Sequence, residues 1–324
     1  MITIQDLARE CEVSIATISR AFSPNGRINP ETKEKILKKA QELHYVPNTV
    51  ARSLQGRQTH SVGLIVPEIS NSFYISAIQK MEAQYRDKGY RIVIGFYQQG
   101  TSNEAEIIYD MHSSRVDALL FSPTDRSSEK ILKQYFPPNH VLQLFSKHYE
   151  EYSSLCFDDI RGTELATEYL IGKGHTRIMY FGEQERSVGY QRVMAAHKLS
   201  TDGLLYASRR LDTYDAETCI VATRPTAILA IAKWSERIVS ALNRLHLRFP
   251  DDIGLLVYDD VEWASMFDVT AVGHPLEEVA ERSANSPLHI LNQKEHFTPI
   301  HELAMPFITE RKSVPSIHRI QTAI

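Results

Sequence analysis

Cysteine is scarce in this chain of 324 residues. Cys11, Cys156 and Cys219 form an odd set with no C-x-x-C spacing, so neither a disulfide framework nor a zinc site is expected, and a reducing cytoplasm is the natural home. Long apolar runs are missing too: no stretch reaches the roughly 18 apolar residues of a membrane span. The start, MITIQDLARECEVS, carries acids where a signal peptide needs a basic opening and a continuous apolar run. A soluble protein with no membrane partner is therefore expected. The signatures of catalysis are absent as well. There is no G-x-S-x-G, no H-E-x-x-H and no G-x-x-x-x-G-K-[ST], and the thirteen histidines are scattered. The pairs Asp158-Asp159 and Asp259-Asp260 lie far apart, and adjacent carboxylates at a strand end more often cap a helix or hold a ligand than act as an acid/base pair. No enzyme activity, metal or cofactor is expected.

Nor does one sign of charge prevail. The net charge is -4, with 36 basic and 40 acidic residues, and this average speaks against nucleic acid. Splitting the chain reverses that inference. Residues 1–60 hold nine Lys and Arg against six Asp and Glu, while residues 61–324 hold 27 against 34. A small basic head precedes a large acidic body.

What the chain does have is organised in two parts, as its length suggests. The first 46 residues read as three short helices, with apolar positions Ile4, Leu7, Ala8 and Cys11, then Val13, Ile18 and Phe22, then Ile36, Leu37, Ala40 and Leu43. Thr3 with Asp6, Ser14, and Pro30-Glu31 mark their starts. From Ser61 onward, short apolar runs such as VGLIVP, YRIVIGF, VDALLFS, RIMYF, TAILAI and DIGLLVYD alternate with helix-sized segments. This predicts parallel sheets covered by helices on both faces, with room for two of them. The stretch from Gly189 to Pro225 shows no clear strand-helix pair. Residues 46–60, VPNTVARSLQGRQTH, suit a short helix or a tether that orders when something binds it.

Thr3 to Arg20 has the logic of a helix-turn-helix: a helix, a tight turn at Glu10 to Val13, and a second helix whose outward face is Ile15, Ala16, Ser19 and Arg20. Such a unit sets the N-terminal half of its second helix into the major groove. Arg20 is the outward residue there able to make the bidentate contact to guanine, while Ile15 and Ala16 suit thymine methyls and shape readout.

The motifs V-S-x-A-T-x-S-R, E-T-K-E-K-I and Y-x-P-N-x-x-A-R-S-L, in that order, closely resemble the start of the lactose/galactose repressor family of bacterial transcription regulators. The resemblance continues through SNSFY (70–74), VDALLFSP (116–123), FDDIRGTELATEYLIGKGHTRIMYFGE (157–183) and RFPDDIGLLVYDD (248–260). It implies phosphate contacts at Thr3, Ser14, Thr17, Asn29 and Thr32, with Arg27 and Tyr45 at the DNA edge, and base reading by Ile15, Ala16 and Arg20, beside the outward Ser19. It places Asn48, Ala51, Arg52 and Leu54 on a hinge helix, with Leu54 as the minor-groove wedge. Glu12 stands where the family's turn often has glycine.

The same resemblance implies a body like the periplasmic sugar-binding proteins, two doubly wound subdomains around an effector, with Asn71, Phe73, Phe145, Arg186, Lys233 and Asp259 at the effector. Two of these depart from the family: Phe145 and Lys233 each occupy a place where an acidic residue is common, and Lys233 favours an anionic ligand such as a sugar phosphate. The expected organisation is an all-helical head over 1–46, a hinge over 47–60, and a bilobed α/β body over 61–313, followed by a tail over 314–324. Within the body, 61–157 with 275–300 form one subdomain and 158–274 with 301–313 the other. The expected function is a homodimeric repressor of carbohydrate-utilisation genes on a pseudo-palindromic operator, controlled by a sugar or sugar phosphate. The competing readings are control by a protein corepressor, and a cytoplasmic sugar-binding protein or enzyme on the same body fold.

Overall fold

A computed structural model describes residues 2–22, 26–45, 58–67, 72–97, 103–208, 214–290 and 297–317, with the side chains of 232–233 and 286–290 excepted. The chain divides into two compact units, Met1–Thr59 and His60–Ile324.

In the first unit, α1 (Ile4–Glu10), α2 (Ile15–Ala21) and α3 (Pro30–Glu42) each begin on a side chain that satisfies an orphan backbone donor. Thr3 and Asp6 form a reciprocal capping box, the Ser14 hydroxyl accepts from the Thr17 N–H at 3.1 Å, and the Asn29 carboxamide oxygen accepts from Glu31 N–H at 2.8 Å. Such caps contribute about 1 kcal/mol each. The ends are equally defined. Glu12 takes φ +56°, its N–H bonds Arg9 and the Val13 N–H bonds Ala8 at 3.0 Å, which closes α1 with the left-handed C′ residue of a Schellman turn. His44, at φ +50°, does the same for α3, with Tyr45 N–H on the Ala40 carbonyl at 2.8 Å. The three helices close over Leu7, Ala8, Cys11, Ile18, Ala21, Ile36 and Ala40.

The second unit contains, among the described residues, two six-stranded sheets. The first sheet is built from β1 (Ser61–Val66), β2 (Arg91–Phe96), β3 (Ala118–Phe121), β4 (Val141–Leu144), β5 (Ser153–Phe157) and β11 (His301–Ala304) in the order β11-β5-β4-β3-β1-β2. The second comprises β6 (Ile178–Gly182), β7 (Leu205–Ala207), β8 (Ala227–Ile231), β9 (Gly254–Tyr258), β10 (Thr270–Gly273) and β12 (Phe307–Thr309) in the order β12-β10-β9-β8-β6-β7. All pairs run parallel except β10 with β12, and the fully buried central strands are the continuous apolar runs of the sequence. Helices α4 (Ser72–Asp87), α5 (Glu104–Ser113), α6 (Glu129–Tyr135) and α12 (Leu276–Ile290) belong to the first lobe; α7 (Asp159–Gly172), α8 (Gln184–Ala196), α9 (Ala216–Thr223), α10 (Ala232–Arg244) and α11 (Glu262–Met266) belong to the second. Gly89 ends α4 at φ +78°, a left-handed position that favours glycine.

Two sequence expectations need correction. Residues 301–304, expected in the second lobe, pair with β5 in the first sheet, from His301 opposite Ser154 to Ala304 opposite Phe157. The chain therefore crosses between the lobes after Ala304, and β11 satisfies the backbone groups along that edge of β5. The segment between Gly189 and Pro225 does hold a strand and a helix, β7 and α9. Their signal is weak because β7 is a three-residue, half-buried edge strand whose apolar pattern is too short to stand out.

Candidate DNA-reading face and ligand cleft

The second helix presents two faces. Ile18 and Ala21 are buried in the head core, while Ile15 (46% exposed), Ala16 and Arg20 stand in solvent and Thr17 and Ser19 are half-buried. An isoleucine so exposed beside an exposed arginine, on a helix whose opposite side is closed core, has the form of a contact surface rather than a packing surface. The cap residues frame it. Thr3, Ser14 and Asn29 are exposed at three helix N-termini, where backbone N–H groups and the helix dipole favour phosphate. In the unbound head the Thr3 hydroxyl donates to Asp6 at 2.6 Å, and the Ser14 and Thr17 hydroxyls share a hydrogen bond of 2.8 Å. Asn29 uses its oxygen as the cap, which leaves its NH2 as a donor. Arg27 is exposed, Thr32 is half-buried in the first turn of α3, and Tyr45 packs on Phe22 with ring centroids 5.7 Å apart. Burial pushes the Tyr45 phenol up, so it remains a neutral hydrogen-bonding group. Asn48, Ala51, Arg52 and Leu54 lie outside the described residues.

In the body, the strand ends of the two lobes bring a second set together. From the first lobe come Phe73 and Tyr74 at the start of α4, Phe145 after β4 and Phe157 ending β5. Phe73 meets Phe145 edge-on at 5.2 Å and Phe157 at 5.8 Å, and Phe145 stacks on Phe157 with 14° between planes. Phe145 is thus a ring held in an aromatic cluster with Phe73, Tyr74 and Phe157. From the second lobe comes Arg186, in the first turn of α8. Its Nε lies 3.2 Å from Asp159, its Nη1 3.8 Å from Glu183, and its guanidinium rests 4.6 Å above the Tyr258 ring. Burial works against its charge, but Asp159, Asp259 and Glu183 outweigh that and hold its pKa well above the ordinary arginine value. Tyr258 donates to Asp159 Oδ1 at 3.0 Å, and α7 approaches it closely because residue 162 is glycine, where a Cβ would overlap the Tyr258 hydroxyl.

Asp259 directly follows β9, at φ +74°, and its Oδ1 accepts from His274 Nε2 at 2.7 Å. The His274 ring lies 4.2 Å from Phe157 and 5.6 Å from both Phe73 and Tyr258. His274 Nδ1 and Arg186 Nε are buried atoms with no hydrogen-bond partner. Tyr74 completes the arrangement: burial pushes its phenol up to about 12, and the charges acting on it are Arg186, Asp259 and Glu183. Of the residues expected at the effector, Phe73, Phe145, Arg186 and Asp259 belong to this one cluster; Asn71 and the side chain of Lys233 lie outside the described residues. Sequence reasoning did not single out His274, Tyr74, Phe157, Tyr258 or Glu183. A lone histidine in T-A-V-G-H-P and scattered aromatics carry no local signal, while Asp159 had been seen only as part of an acidic pair.

Among the described residues, no group of His, Cys, Asp and Glu side chains is placed to hold a metal ion, and no helix is long and apolar enough to cross a membrane.

A helix-turn-helix head with an exposed reading face, joined to a two-lobed α/β body with a polar and aromatic cleft, defines a transcription regulator with a sensor body. Residues 3–48 match the model of the bacterial regulatory proteins of the lacI family, residues 59–237 that of the periplasmic binding proteins and sugar binding domain of the LacI family, and residues 167–314 a periplasmic binding protein-like domain. The chain belongs to the LacI family of bacterial regulatory proteins. It is 28% identical over 344 residues to the HTH-type transcriptional repressor PurR of Vibrio campbellii, covering 98% of this chain and 100% of the relative. It is 29% identical over 294 residues to the catabolite control protein A of Staphylococcus xylosus, covering 86% and 89%. Its fold is that of the lac repressor dimer bound to operator and the anti-inducer ONPF, with a TM-score of 0.80 at 19% identity over 97% of this chain and 99% of that one. It also resembles the transcriptional regulator CelR in complex with cellobiose, with a TM-score of 0.68 at 21% identity over 97% and 100%.

Proposed function

We propose that this LacI-family regulator is a homodimeric repressor that binds a pseudo-palindromic operator in the cytoplasm and releases it in response to a small molecule of the sugar type held between the lobes. The observation that carries the reading is the division of α2 into a core face, Ile18 and Ala21, and an exposed face, Ile15, Ala16 and Arg20. Two-fold symmetry of a dimer would set two such helices on two half-sites. The names of the relatives, a repressor and a catabolite control protein, support repression and carbohydrate control. In this reading Thr3, Ser14, Thr17, Asn29, Thr32 and Arg27 hold the backbone, Leu54 wedges the central step, and Arg186, Asp259, Phe73 and Phe145 meet the effector, with Asn71 and Lys233 beside them.

The test is selection of operators from a random DNA pool by the full-length protein, followed by gel-shift titration at several salt concentrations. A repeated two-fold site, bound with an affinity that falls steeply as salt rises, is expected because phosphate contacts release counterions. Failure to enrich any sequence, or a flat salt dependence, overturns the reading. Tight operator binding that no small molecule alters would instead favour a protein corepressor.

A further inference from the structure

We propose that the interlobe cleft is built for a ligand carrying a positive charge, an amino sugar or a similar organic ammonium, and not for the phosphorylated or acidic ligand that Lys233 suggests from the sequence. The inference rests on the effector reading of this cleft and specifies its ligand.

Charge is the first ground. One guanidinium, that of Arg186, serves the carboxylates of Asp159 at 3.2 Å and Glu183 at 3.8 Å and lies in the field of Asp259. Among the described residues, one guanidinium against three carboxylates leaves an excess of negative charge around Arg186. The side chain of Asp259 is only 10% exposed and that of Asp159 30%, so closing the lobes over a neutral ligand would bury an unbalanced negative charge, whereas an ammonium offsets it.

Aromatic surface is the second ground. Phe73, Tyr74, Phe145 and Phe157 from the first lobe and Tyr258 from the second surround the polar groups, and Tyr258 already carries the Arg186 guanidinium on its face. Ring faces attract cations, and clustered rings beside carboxylates are the chemistry that recognises an ammonium group.

The third ground is independent of both. A carboxylate only accepts, so the bond between His274 Nε2 and Asp259 must place the proton on Nε2. In the neutral ring Nδ1 then holds a bare lone pair, and this atom is buried without a partner in a side chain only 3% exposed. As a neutral-ring acceptor it suits a hydrogen-bond donor such as an ammonium, while Arg186 Nε, likewise unpartnered, suits an acceptor such as a ligand hydroxyl, and an amino sugar carries both.

The experiment uses the full-length protein and sets of probes that share one skeleton: glucose, glucosamine and glucose 6-phosphate, with the corresponding galactose and mannose sets. Calorimetry measures binding, and gel shift on the selected operator measures the response. The expected result is that at least one amino sugar binds roughly tenfold or more tightly than its neutral partner and that no phosphate binds. Glu183→Gln should reduce the ratio of amino-sugar to neutral-sugar affinity severalfold, because it removes one of the carboxylates that favour the ammonium. A neutral or phosphorylated member that binds as tightly as its amino partner overturns the proposal and leaves the effector reading standing. Absence of binding by every member of every set overturns the effector reading, and this proposal with it.

Discussion

His274 joins the two lobes of the body through two different contacts: its Nε2 bonds Asp259 of the second lobe at 2.7 Å, and its ring lies 4.2 Å from Phe157 of the first. Both partners belong to the cleft, and His274 itself sits where the chain crosses from β10 to α12. In the proposed function, a ligand that takes Asp259 would act on this crossing segment and so link occupancy to the arrangement of the lobes.

Removing the histidine donor while keeping the ring tests this relationship. His274→Phe is expected to lower the stability of the body by about 2 kcal/mol, because a buried carboxylate loses its hydrogen bond. Asp259→Asn should cost less, since the carboxamide still accepts and asparagine tolerates φ +74°. Thermal unfolding of both variants checks this, and equal losses would contradict it.

The turn between α1 and α2 gives a second expectation. Glu12 occupies the left-handed C′ position at φ +56°, where glycine is favoured. Glu12→Gly should stabilise the head by about 1 kcal/mol. Hydrogen exchange of the α1 and α2 amides in the full-length protein would show slower opening, and unchanged or faster exchange would refute it.

Arg20→Ala should weaken binding to the selected operator by about 1 to 3 kcal/mol and relax preference at one base pair of each half-site. The side chain is exposed and no head-core residue depends on it, so the helical content should not change. Gel-shift titration with operators altered at single positions separates loss of reading from uniform weakening.

A pH dependence follows from Glu104, which opens α5. It is buried, with Oε1 unpartnered, and burial together with the nearby Asp125 pushes its carboxyl up to about 7. Folding thus favours the protonated form: between about pH 4.5, where the unfolded group titrates, and about pH 7, the folded state binds more protons. Its contribution to stability is present at low pH and is lost as pH rises through 7. Glu104→Gln should accordingly stabilise the body at pH 8 by about 2 kcal/mol and change little at pH 4.5. Denaturant unfolding at the two pH values measures this, and equal effects at both would exclude it.

Much of the head was legible in the sequence because its information is local. A cap and its target lie two or three residues apart, as with Asn29 and Glu31, and the spacing of Leu7, Ile18 and Ile36 marks the buried faces. The body's central strands were equally plain, since continuous apolar runs such as those of β8 and β9 have few other folds open to them. The edges were not. The backbone pairing of β11 with β5 joins residues separated by almost half the chain, and no local pattern records it.

The cleft divides in the same way. Arg186 and Asp259 were found from the motifs around them, and their types alone say that the site handles polar ligands. Their partners emerged only from tertiary structure. Asp159 reaches Arg186 from the start of α7, His274 reaches Asp259 from the crossing after β10, and Phe145, an oddity in the linear pattern, becomes part of a ring cluster with Phe73 and Phe157. Sequence by itself determined that this chain has a DNA-reading head and a two-lobed sensor, because caps, periodicity and apolar runs act over a few residues. The charge of the cleft, and with it the kind of ligand it suits, was decided by contacts between distant segments, since the field at a site depends on what folding brings within a few ångströms of it.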